Sequence, residues 1–213
     1  MRIDRHVLCA IDDFQQNKLD SALMHACFAT EGTAKKIFKI KGKSSYKKCL
    51  RKYYWIIEPM IGGGINLEET KWNNVKIDDG YGTKITNPDL ADIIYHIFRC
   101  NNAHGEEVPP MYSLCPSGDG YSTWFLSEDQ ILMPDRIIWA LLAVSVFSKA
   151  NMNVSSDGDY YLSWGSESLG LGIHKFVIKE WWGREDDFCA FITPHNKTRV
   201  KLDKLERLQE ASK

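Results

Sequence analysis

Residues 19–38 read "LDSALMHACFATEGTAKKIF". Leu19, Leu23, Ala26, Cys27, Thr30, Ala34 and Phe38 recur at steps of mostly three and four, the spacing that gathers side chains on one face of an α-helix. The pattern predicts a single long helix, broken by the "GKSS" that follows at 42–45.

Downstream, Tyr46, Cys49, Leu50, Tyr53 and Ile57 form the stripe of a second helix, capped by Ser44 or Ser45 and expected to stop before Pro59 and the triple glycine 62–64. Residues 66–86 are polar, with weak strand or loop character. A third helix, over about 88–104, opens at "TNPDL" (86–90), where Asn87 can cap and Pro88 suits the first helical position. Leu90, Ile94, Ile97 and Phe98 are its stripe, and Gly105 is placed to end it. A β insertion over about 111–133 follows, with "TWFL" (123–126) and "QILM" (130–133) as hairpin strands. Pro134 is expected to start a fourth helix, apolar nearly all round and therefore central. "YYLSW" (160–164) suggests a strand, "IHKFVIKEWWG" (173–183) a fifth helix or a buried segment, and 200–208 a last amphipathic helix. With no linker, the chain reads as one domain over 1–213: mainly α, a helical bundle with a small β-hairpin insertion.

The 213 residues are 44% hydrophobic and 26% charged, an ordinary balance for a globular protein. The longest apolar run, Ile137 to Phe147, is too short to span a bilayer. Acids interrupt "MRIDRHVLCAIDDF" where a secretory leader needs an unbroken apolar stretch, so a cytoplasmic, non-membrane protein is expected. Six scattered cysteines without a CxxC pair suit reduced thiols rather than a disulfide framework. His25, His96 and His104 show no second ligand at metal spacing, and "IKGKSS" and "GGGIN" each lack part of a phosphate- or dinucleotide-binding pattern. No metal and no cofactor is expected.

The net charge of −1 conceals a polarity. "KKIFKIKGKSSYKKCLRK" (35–52) holds Lys35, Lys36, Lys39, Lys41, Lys43, Lys47, Lys48, Arg51 and Lys52 and no acid, which leaves −10 on the remainder. A basic segment on an acidic body is the footprint of a polyanion binder. The plain alternative is a solvated helix–loop–helix face. Tyr46, Tyr53, Tyr54 and Trp55 interleave with these charges and are expected mostly in the core.

The third helix ends in an unusual way. In "IIYHIFRCNNAHGEE" (93–107) an apolar face gives way to Arg99, Asn101, Asn102 and His104 within six residues. Cations at a helix C-terminus answer its unpaired carbonyls, so capping alone accounts for two of them. The Arg-x4-His spacing before a glycine nevertheless resembles the Arg-x(4–6)-His signature of the HEPN superfamily. "SALMHACFATEGTAKKIFK" (21–39) resembles the first long helix of such domains, and the order of parts agrees over roughly residues 10–182. The resemblance implies an all-α bundle that dimerises with two motifs facing each other. It also implies a metal-independent endoribonuclease of defence or toxin–antitoxin systems, restrained by an antitoxin or regulatory protein. Arg99 and His104 would be catalytic, with Asn101 or Asn102 orienting the phosphate or the imidazole. Many active members carry a polar residue directly after the arginine; here that position is Cys100. Other members have lost activity and serve as RNA- or protein-binding modules, which is the alternative reading.

Overall fold

The computed structural model describes residues 2–61, 65–72, 75–78, 84–100, 112–116, 125–126, 131–166 and 170–195. It is mainly helical with small, separate sheets. Helix α1 (Ile3–Gln15) buries Ile3, Val7, Ala10 and Ile11 against α2 (Leu19–Phe38). Helix α2 spans the long helix expected from the stripe; Leu23, Ala26, Cys27, Thr30 and Ala34 of that stripe are buried, and Leu19 and Phe38 at its ends are half-buried. Small residues there let the neighbouring backbone come near: the Thr30 hydroxyl donates to the Leu141 carbonyl at 3.3 Å. That partner lies on α6 (Arg136–Phe147), which is buried at every position but Arg136 and Trp139 and forms the centre of the core.

Several boundaries differ from the sequence expectation. The second helix is two helices, α3 (Lys43–Lys52) and α4 (Tyr54–Ile61), broken at Tyr53. Gly42 precedes α3, and Ser45 donates to the Gly42 carbonyl rather than capping the helix. Pro59 lies inside α4 instead of stopping it. Two tyrosine anchors hold this break: Tyr53 Oη meets Ser148 Oγ at 2.8 Å and Glu185 at 2.9 Å, while Tyr54 Oη accepts from the Ala91 amide at 3.0 Å. Tertiary contacts of this kind outweigh local helix preference.

The third helix begins later than expected. Asn87 is in the left-handed region (φ 56°), and Asp89 caps α5 (Leu90–Ile93) in a reciprocal box with Asp92. Helix α5 continues as a π-helical segment (Ile94–Arg99). Leu90, Ile94, Ile97 and Phe98 are buried as the stripe predicts.

Strands β1 (Lys76–Asp78) and β2 (Lys84–Thr86) pair antiparallel. In the insertion, β4 (Phe125–Leu126) and β5 (Ile131–Pro134) form the expected hairpin. A parallel strand, β3 (Tyr112–Cys115), adds to the other side of β5. Pro134 therefore ends a strand rather than starting a helix, and α6 begins two residues later at Arg136. Strands β6 (Tyr161–Ser166) and β7 (Gly172–Val177) form a second hairpin, fixed to α4 where Trp164 Nε1 donates to the Pro59 carbonyl at 3.0 Å. The expected fifth helix is thus strand β7 followed by the short α7 (Ile178–Trp181), and α8 (Glu185–Ile192) with a following 3-10 turn (Thr193–His195) closes the described fold. Gly105 and the expected tail helix at 200–208 lie outside the described residues. No helix among those described is long and apolar enough to cross a membrane.

Candidate functional site

From residue 90 to 100 every side chain is buried except Tyr95, Arg99 and Cys100, which are half-buried. The motif helix therefore has one wet edge, and Arg99 is its cation. The local winding is π rather than α: the Cys100 amide donates to the Tyr95 carbonyl, five residues back. Such widened turns often mark functional positions, and this one sets the angle at which Arg99 leaves the helix.

Arg99 reaches across to α2. One terminal nitrogen of its guanidinium meets the Glu31 carboxylate at 2.9 Å, and its carbon lies 5.6 Å from the centre of the Tyr95 ring. Its Nε is buried and has no hydrogen-bond partner among the described residues. Burial works against the charge, but Glu31 more than offsets it, so the guanidinium is held more firmly charged than a free one. Tyr95 in turn packs, tilted, against Tyr46 of α3, with centroids 5.6 Å apart. Burial raises the Tyr95 phenol and pushes the Cys27 thiol, which lies under this cluster, up to about 12. Neither is a nucleophile at neutral pH. The chemistry of the site is that of a fixed, partly open cation with a carboxylate beside it.

Asn101, Asn102 and His104 lie outside the described residues. Arg99 is thus the motif residue whose surroundings are known. Glu31 was not singled out from the sequence. It is 68 residues from Arg99 along the chain, and its signal was an acid set among the small residues of "ATEGTA" (29–34).

The basic segment divides into two groups. Lys47 Nζ meets Asp92 at 2.7 Å; Arg51 makes two bonds to Asp89 at 2.7 and 3.1 Å and one to Asp92 at 3.2 Å; Lys71 reaches Asp89 at 3.2 Å. Burial favours the neutral form of Asp89, but Arg51 and the capping amide win and hold its carboxyl down at about 2. Lys47 and Arg51 thus fasten α3 to the start of the motif helix. Lys35, Lys36, Lys39, Lys41 and Lys48 are exposed, Lys43 is half-buried, and exposed Lys52 lies 5.2 Å from the Tyr53 ring centre. Burial pulls the Lys36 ammonium below its ordinary value, Asp4 opposes this, and the like charge of Lys39 adds to it. Tyr46, Tyr53 and Tyr54 are core residues, and Trp55 is half-buried.

The two features meet. Lys35 follows Glu31 by one helical turn on α2, and Tyr46 of the basic α3 packs on the tyrosine beneath Arg99. Among the described residues no group of three or more His, Cys, Asp or Glu side chains is placed to hold a metal ion.

Comparison with known proteins places the chain among relatives of similar length. "Uncharacterized protein Rv1289" of Mycobacterium tuberculosis (strain H37Rv) is 28% identical over 203 residues, covering 94% of this chain and 92% of the relative. "Uncharacterized protein Mb1320" of Mycobacterium bovis matches with the same identity and coverage. No solved structure matches. A family model described as Rv1289 matches residues 2–208, nearly the whole chain, and this protein belongs to the Rv1289 family.

Proposed function

We propose that this protein is a metal-independent endoribonuclease of HEPN type, acting as a cytoplasmic homodimer in defence, stress or toxin–antitoxin biology. The observation that carries the reading is the placement of Arg99: a guanidinium held by Glu31 at the one half-open edge of a buried helix, with exposed lysines beginning one turn away.

A base takes the proton of a ribose 2′-OH, and the oxygen attacks the adjacent phosphorus. The 5′-oxygen leaves with a proton from an acid, giving a 2′,3′-cyclic phosphate and a 5′-hydroxyl. Histidine exchanges protons near neutral pH, which suits His104 to one of these transfers. The other falls to His104 of a second copy across a twofold axis. Arg99 offers forked donors to the phosphate oxygens as charge accumulates on them. Glu31 positions Arg99, and Asn101 or Asn102 orients the phosphate. The exposed lysines of 35–52 hold the RNA backbone without reading its sequence. An antitoxin or regulatory protein restraining the activity is part of this reading.

A second reading is a non-catalytic RNA- or protein-binding module of the same type. The ion pair to Glu31 and the Cys100 that follows Arg99 favour it. Incubation of labelled RNA in EDTA separates the two. The ribonuclease cleaves and its His104→Ala variant does not, whereas a binding module leaves the RNA intact in both cases.

A further inference from the structure

Two histidines that the sequence leaves apart are brought together where α1 packs on α2. His6 Nδ1 of α1 and His25 Nδ1 of α2 are 3.0 Å apart, with ring centroids at 5.2 Å, so the two nitrogens face each other along the line joining the rings. We propose that His6 and His25 form a one-proton latch that holds α1 against α2 at neutral pH and releases it in acid. The inference does not rest on the ribonuclease reading.

A neutral imidazole has one N–H and one lone pair, so two facing nitrogens make a hydrogen bond only when a single proton lies between them. The surrounding groups set which ring can carry more. Beyond His25, the Asp13 carboxylate lies 3.8 Å from Nε2 and is itself fixed by a 2.6 Å hydrogen bond from Ser21 Oγ. The carboxylate lies on the Nε2 edge of His25, which leaves Nδ1 as the nitrogen turned to His6. When both rings are positively charged, N–H is set against N–H at that contact and the contact breaks.

The environment of His6 resists that second charge. Burial lowers its affinity for a proton most, the charge on His25 and the amino-terminal charge add to this, and Asp4 opposes them. From α2, Phe28 closes the pair on one side at 5.4 Å from the His6 ring. Helix α6, also packed on α1, brings Trp139 against Phe14 at 5.1 Å. Because the folded-state value of His6 is depressed, its contribution to stability is full above the ordinary histidine value of 6.5 and is lost as pH falls through the folded value.

Hydrogen exchange followed by mass spectrometry on the full chain, corrected for intrinsic rates, tests the latch. Between about pH 7.5 and about pH 5, protection of α1 amides should fall at least about tenfold relative to those of α6. The His6→Gln variant, which cannot take the second charge, should keep α1 equally protected at both values. Equal protection of wild-type α1 at both pH values overturns the proposal, as does a His6→Gln variant that loses protection in step with wild type. If that variant fails to fold, histidine-ring NMR on the wild type decides. His6 should protonate only below the free-histidine range, together with loss of α1–α2 contacts. Two ordinary, independent titrations overturn the latch.

Discussion

Arg99 is the residue on which the functional reading turns, and its neighbours make its role separable from folding. Its side chain and that of Glu31 are 19% and 22% exposed, so water screens the pair only in part and its loss should cost about 1–2 kcal/mol. Glu31→Gln keeps a hydrogen-bond acceptor but removes the charge that fixes the guanidinium. It should leave the protein folded at a slightly lower melting temperature and lower kcat about tenfold with little effect on KM, as expected of a positioning residue. A large loss of stability with unchanged kcat would make Glu31 a packing residue. Arg99 was legible in the sequence because a cation, two amides and an imidazole end an apolar stripe. Glu31 was not, since nothing local announces a partner that folding brings in from 68 residues away.

Among the elements, the junction between α3 and the motif helix carries the most charge. Asp89 caps α5 and receives Arg51 and Lys71 while itself only 4% exposed in its side chain. Removing it strands these cations and the cap together, so Asp89→Ala should destabilise the fold by about 3 kcal/mol in chemical denaturation. A loss under about 1 kcal/mol would show that the network is screened as ordinary surface pairs are. The carboxyl is depressed to about 2, so its contribution is complete above the ordinary value of 3.8. That contribution should disappear as pH falls from about 4 toward 2, and the Asp89→Ala variant should lack this part of the acid transition. The same junction separates two adjacent lysines. Lys47→Glu faces Asp92 with a like charge and should destabilise the fold, whereas Lys48→Glu should leave stability intact and weaken RNA binding. Equal effects of the two on RNA affinity, at equal stability, would contradict the division of the basic segment. Helix α2 was fully legible, because small and apolar residues repeat along all of it. The break at Tyr53 was not, since two tyrosine hydroxyls find partners at residues 91, 148 and 185. Nor was the parallel pairing of β3 with β5, which no local pattern encodes. Helix α1 encodes its buried face in the spacing of Ile3, Val7, Ala10 and Ile11.

At the scale of the whole molecule, α6 fills the core between α2 and α4, and Arg99 and Cys100 are half-buried rather than enclosed in it. One Arg–His pair supplies a single proton-transfer imidazole, so the ribonuclease reading requires a dimer with its twofold axis near the motif. Light scattering should give a dimer at micromolar concentration, and a monomer that retains activity would contradict it. The overall class, mainly α with small β elements, followed from hydrophobic periodicity, while the meeting of the basic segment with the motif helix required the fold. The central claim is that Arg99 and His104 cleave RNA through its own 2′-OH. The most direct measurement incubates 5′-labelled RNA in EDTA with the wild type, Arg99→Ala and His104→Ala, beside a fully 2′-O-methylated copy of the strand. The account predicts fragments ending in 2′,3′-cyclic phosphate from the wild type alone, a loss of at least about a hundredfold in either folded variant, and no cleavage of the methylated strand. Undiminished cleavage by both folded variants, or cutting of the methylated strand, would contradict it.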